Sequence, residues 1–163
     1  MADLGAPVAA VVSSPLSRCT ATAEAVCAVA GGQVYLEPGF IECDYGEWEG
    51  CTFAEVRQRW PGEFREWMGS PVVAPPGGES LRQVAARVLP AAERVRSAYP
   101  GKVVVVVSHV SPIKLVLRDA LAAGDELMHR LHLDPAGISI VDSWADGAVS
   151  VRTVNDISHL PPR

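Results

Sequence analysis

The 163-residue sequence is poor in aromatic side chains (6%) and contains no cluster of basic residues. Fourteen Lys and Arg against nineteen Asp and Glu give a net charge of −5, so no positive surface for nucleic acid or anionic membrane is expected. Apolar runs are short, and stretches such as Val103–Val107 fall far below the roughly 20 residues of a membrane-spanning helix. Met1-Ala2-Asp3-Leu4-Gly5 has neither the charged nor the apolar region of a signal peptide, which points to a cytoplasmic protein. Cys19, Cys27, Cys43 and Cys51 are spaced by eight, sixteen and eight residues, a pattern of neither zinc sites nor C-x-x-C redox pairs, and free thiols are expected. Also missing are a Walker loop, a G-x-G-x-x-G turn and a G-x-S-x-G elbow. Kinase and dinucleotide chemistry are thereby disfavoured, and Ser13, Ser14 and Ser111 become weak nucleophile candidates.

What remains is the composition of one globular domain over residues 1–163, with 48% apolar and 20% charged residues. A chain of this length buries about 70% of its unfolded surface, enough for a core without metal or disulfide staples. Strand and helix signals alternate, predicting an α/β domain with a mostly parallel sheet flanked by helices. Residues 8–12 read as a buried strand, followed by a helix to about Ala30 in which Ser14 is the cap and Pro15 lies in the first turn. A short strand at 33–36 leads into a loop rich in acid and glycine, then two short helices. Ser80-x-x-Gln83 is a capping box opening a long helix that Pro90 should kink or divide. Val103–Val107, apolar on both faces, reads as a central strand. A helix over 112–123, a shorter one through 127–131 and a β-hairpin turning at Asp146-Gly147 complete the chain.

Three groups in this layout can carry chemistry. Arg18 in the first turn of a helix faces the positive end of the macrodipole; alone it reads as a surface cation, or else it answers a bound anion. His109 sits where the most apolar strand gives way to a helix, with Lys114 one turn on. In open α/β sheets ligands bind beyond the carboxyl ends of strands, so Arg18 and His109 can converge on one anion. Glu42, Asp44, Glu47 and Glu49 surround Trp48, and a carboxyl held beside an indole or near a dianion has its pKa raised and can serve as a general acid; the alternative is a solvated acidic loop. His129 and His132, three apart, lack a companion ligand and read as packing or surface histidines.

Taken together, these motifs resemble the histidine phosphatase superfamily, with the phosphoglycerate mutase-like fold. Ser13-Ser14-Pro15-Leu16-Ser17-Arg18-Cys19-Thr20-Ala21-Thr22-Ala23-Glu24 is similar to its S-S-P-L-x-R-x-x-x-T-A-E signature, and Glu42 through Tyr45-Gly46-Glu47-Trp48-Glu49-Gly50 to its acid loop. Gly77-Gly78-Glu79-Ser80 matches the G-G-E-S element and Val107-Ser108-His109 the strand of the second histidine, so that the resemblance covers residues 8–154. It implies that Arg18 clamps the phosphoryl oxygens, Glu42 protonates the leaving group, His109 stabilises the transferring phosphoryl group, and Glu79 and Ser80 shape the pocket. It further implies a small phosphate ester as ligand, with no metal or other cofactor, because cationic side chains supply the electrostatics.

Two departures qualify this. The superfamily opens with a strand ending in Arg-His-Gly, whose histidine is the nucleophile, whereas no histidine precedes His109 here. The expectation is therefore the distal part of such a phosphatase, lacking that first strand and inactive alone, or a non-catalytic phosphoryl- or partner-binding module. Unpaired valine-rich backbone should then promote association, a homodimer included. Val110 also stands where the family has glycine. Ser108-His109-Val110-Ser111-Pro112-Ile113-Lys114 resembles the phosphatase domain fused behind ribonuclease H in bacterial bifunctional proteins, related to the α-ribazole phosphatases of cobalamin synthesis. A phosphoglycerate mutase is the alternative, disfavoured by the short segment between the acid loop and G-G-E-S.

Overall fold

In the computed structural model, which describes residues 7–161, the valine-rich segment Val8–Ser13 (β1) is the middle strand of a three-stranded parallel sheet. Val34–Leu36 (β2) pairs with it on one side and Val103–Val107 (β3) on the other, so that Val12 lies opposite both Tyr35 and Val106. Parallel neighbours need long crossovers, and helices supply them. Ser17–Ala30 (α1) returns the chain from β1 to β2, ending at Gly31 with φ +81°, a conformation that glycine adopts without a Cβ penalty. The second crossover holds Phe53–Arg59 (α2), Pro61–Gly69 (α3) and the long Leu81–Ala98 (α4). After β3 come Val110–Ala120 (α5) and Leu127–Arg130 (α6).

Side chains alternate across a strand, and β1 divides the core accordingly. Val12 packs with Leu81, Val84, Val88 and Ala91 of α4 and Leu115 of α5. Helix α1 lies along all three strands and buries Cys19 and Ala23. A second apolar cluster, Trp48, Val56 and Trp67 with Trp60 and Phe64 around them, forms beside the sheet. The hairpin Ile138–Ser143 (β4) and Val149–Asp156 (β5) is antiparallel and a sheet of its own, with Gly147 at φ +88° in the turn.

Three local expectations change. The five valines of β3 do not occupy the middle of the sheet; β3 has a strand neighbour on one side only among the described residues, and Val106 is 40% exposed. Pro90 does not divide α4, which runs through it as one helix after the reciprocal Ser80–Gln83 capping box. Ser14 does not occupy the cap of α1: Leu16 does, with no side-chain cap, and the Ser14 hydroxyl two residues earlier lies 2.8 Å from His109 Nε2 and 3.4 Å from Leu16 N. No helix among the described residues is long and apolar enough to cross a membrane.

Candidate active site

β1 and β3 end side by side at polar residues that are withdrawn from water, Ser13 and Ser14 (0% exposed) after the first and His109 (7%) after the second. Buried polar groups need partners, and these find one another. Ser14 Oγ lies 2.8 Å from His109 Nε2, and Arg18 in the first turn of α1 donates its Nε–H to His109 Nδ1 at 3.1 Å. Accepting at Nδ1 places the ring proton on Nε2, which donates to Ser14. Burial, the largest cause, pushes the His109 pKa below its ordinary value against the opposing Glu42 carboxylate, with the charge of Arg18 acting in the same direction as burial. The imidazole is therefore neutral near pH 7. Cys19 supports it from below, its Sγ 3.4 Å from His109 Nε2 and from the Ser108 carbonyl, with burial raising the thiol pKa. The terminal nitrogens of Arg18 have no hydrogen-bond partner among the described residues and its side chain is exposed, so they are available to an incoming anion.

Glu42 completes the group from the loop before α2. Its Oε1 accepts from Cys43 N at 2.8 Å and from Ser111 N, in the first turn of α5, at 3.2 Å. Oε2 has no partner among the described residues. The Tyr45 hydroxyl braces the same turn, 3.1 Å from Ser111 Oγ, and burial pushes that phenol up to about 12. Arg18, His109 and Glu42, chosen from sequence, thus meet at the carboxyl ends of two adjacent strands, between the N-terminal turns of α1 and α5 whose N–H groups favour negative charge.

Glu79 and Ser80 stand one layer further out. Glu79 binds Arg87 through both carboxylate oxygens, at 2.7 and 3.0 Å, and accepts from Asp44 N; Arg87 holds its pKa below the usual carboxylate range. Arg87 also donates to the carbonyls of Gly39, Ile41 and Glu42 at 3.0, 2.6 and 2.9 Å, which fastens the Glu42 loop to α4. Ser80 accepts from Gln83 N as the cap of α4. Sequence reasoning missed Arg87; its signal is an arginine beside the apolar stripe Leu81, Val84 and Val88. It also missed Ser14 as the partner of His109.

The two glycine-bearing motifs touch backbone to backbone. A Cβ on Gly46 (φ +54°) would collide with the Pro76 carbonyl oxygen, and one on Gly78 with that of Asp44. Asp44, Glu47 and Glu49 are exposed, whereas Trp48 packs on Trp60, Phe64 and Trp67. The loop's tryptophan is an anchor to α3. His129 stands edge-on to Trp67 at 5.3 Å, while His132 lies 3.6 Å from Asp134. All four cysteines are free.

This arrangement of strands and side chains is that of a known class. Residues 3–157 match the model of the histidine phosphatase superfamily (branch 1), and the chain belongs to that superfamily. It is 46% identical over 153 residues to the bifunctional protein Rv2228c of Mycobacterium tuberculosis, a match covering 94% of this chain and 42% of that protein. Phosphoserine phosphatase 1 of Hydrogenobacter thermophilus is 34% identical over 132 residues, 80% of this chain and 63% of the relative. The chain thus spans less than two thirds of either relative's length. Among solved structures, Bacillus stearothermophilus YhfR superposes with a TM-score of 0.83 at 27% identity, over 93% of this chain and 76% of its own.

Proposed function

We propose that this chain holds the phosphoryl-binding and leaving-group-protonating part of a phosphomonoesterase for a small phosphorylated metabolite. α-Ribazole phosphate is one example of that class, suggested by the resemblance of residues 108–114 to a domain related to the α-ribazole phosphatases. Arg18 would grip the phosphoryl oxygens, His109 would stabilise the charge of the group in transfer by turning its Nε2–H from Ser14 Oγ to a phosphoryl oxygen, and Glu42 would give its proton to the departing oxygen. Glu79 and Ser80 hold the walls through Arg87 and the α4 cap. The observation that carries this reading is the convergence of Arg18, His109 and Glu42 on one point at the ends of β1 and β3. The relative's bifunctional name fits a phosphatase domain joined to a second one, ribonuclease H by the motif resemblance.

We further propose that this chain alone turns substrate over negligibly. Neither ring nitrogen of His109 presents a free lone pair to phosphorus, because Nδ1 accepts the Arg18 Nε–H and Nε2 carries the ring proton. No other histidine precedes it in the sequence. Enzymes accelerate phosphomonoester hydrolysis by up to about 10²¹, a factor that positioning without a nucleophile does not reach. Titration with inorganic phosphate or vanadate should show binding that Arg18→Ala abolishes, and p-nitrophenyl phosphate should be hydrolysed at background. Turnover at the rate of ordinary phosphatases, lost in His109→Ala, would refute the inactivity; no phosphate binding would refute the site.

A further inference from the structure

Beyond Glu42, two apolar side chains next to the polar centre stay in contact with water, on a face whose acid loop also exposes Asp44, Glu47 and Glu49. Val110, the residue after His109 and the first of α5, is 46% exposed, and Phe53, the first of α2, is 55% exposed. Neither is a loose side chain. The capping box of Thr52 and Glu55 fixes the start of α2 under Phe53, and Val110 is followed by the buried Ser111. Phe53 connects to the acid through two residues, Tyr45 and Ser111. Its ring stands edge-on to Tyr45, 6.3 Å between centroids at 70°, the Tyr45 hydroxyl lies 3.1 Å from Ser111 Oγ, and the Ser111 N–H binds the Glu42 carboxylate. Trp67 at 5.7 Å and Phe64 at 6.2 Å back the Phe53 ring from the apolar cluster. Lys114, one turn along α5 from Ser111, gives its ammonium to the Met128 carbonyl at 2.8 Å.

A valine and a phenylalanine left about half in water forgo part of the burial that their apolar area allows. A second apolar body set against them would recover part of that. We propose that Phe53 and Val110 are specificity-determining residues that receive the alcohol half of the ester, and that this half carries a flat, uncharged ring. The inference rests on the phosphatase reading of Arg18, His109 and Glu42. A residue that protonates the leaving oxygen faces the leaving group, so the alcohol extends on the side of Glu42, where Tyr45 and Ser111 lead by contact and by chain to the exposed Phe53 and Val110. An aromatic face lying on Phe53 gains both area and the offset stacking of two rings. A small or charged alcohol gains neither.

Isothermal titration of the chain with methyl phosphate and phenyl phosphate, equal in charge and differing in the ring, tests this. Phenyl phosphate should bind about tenfold more tightly, and Phe53→Ala and Val110→Gly should each reduce that ratio by about threefold or more. Phe53→Leu, which keeps apolar bulk without a flat face, should give a ratio between wild type and Phe53→Ala. Equal affinity of the wild-type chain for the two esters overturns the proposal, and needs no variant to fold. A ratio unmoved in both Phe53→Ala and Val110→Gly overturns it as well. If inorganic phosphate binds and the esters do not differ, only the ring subsite falls; if inorganic phosphate does not bind, the phosphatase reading falls and takes the subsite with it.

Discussion

His109 is the residue through which pH reaches both stability and binding. Burial holds its folded pKa below the ordinary 6.5, so the unfolded chain takes up a proton that the folded chain resists. Protons bound in the unfolded state exceed those bound in the folded one below about pH 7, and stability falls as pH drops through 6.5. In urea titrations between about pH 7.5 and 5, His109→Asn should flatten that decline in part. The remainder belongs to His129, whose pKa burial and Lys114 also lower. A wild-type slope retained in full by His109→Asn would show that the ring is not buried neutral. The residues of the site were legible from sequence where chemistry leaves a mark of position: Arg18 against a helix dipole, His109 behind an apolar strand, Glu42 in the acid loop. Ser14 was not, because its hydroxyl pairs with a ring 95 residues away in sequence, a contact that the local rule for serine at helix starts does not register.

Among the elements, the acid loop and the turn before α4 hold each other in register through close backbone contact. Gly46 has both a positive φ and the Pro76 carbonyl against its α-carbon, whereas Gly50 has a positive φ (+75°) and open space. Gly46→Ala should therefore lose about 2–4 kcal/mol in urea denaturation and Gly50→Ala about 1, a contrast that strain alone would not produce. Equal losses would mean that the two loops separate freely. The Ser80–Gln83 capping box was legible from its serine and the glutamine three residues on, and it is present; Thr52 and Glu55, with the same spacing, form a second box that sequence reasoning missed. The order of strands in the sheet was harder to read. Five valines look alike in the middle or at the edge, since apolarity on both faces reports what would cover a strand, not what pairs with it. Arg87 escaped for a related reason: its partners are three carbonyls and Glu79, and carbonyls leave no trace in a sequence.

At the scale of the whole molecule, β3 is a valine-rich strand with no neighbour on one side among the described residues, and edges of that kind pair with whatever backbone they meet. Sedimentation velocity over rising concentration should show the chain associating, and Val106→Lys, at the exposed valine of that strand, should shift the distribution toward monomer. A wild-type chain monomeric throughout would remove this expectation. The α/β class, the parallel sheet and the terminal hairpin were all legible because they depend on alternation along the chain, which composition and turn residues record. The site has one more property at this scale. Arg18 and His109 are 91 residues apart, on different helix–strand junctions, and Glu42 belongs to a third segment. An anion seated among them is a non-covalent crosslink, and its binding energy adds to the folding energy, about 2.7 kcal/mol at a hundred times the dissociation constant. On the proposed reading, a cell rich in such an anion would keep more of this chain folded and out of reach of proteases, so the amount of the protein would follow the supply of the proposed ligand.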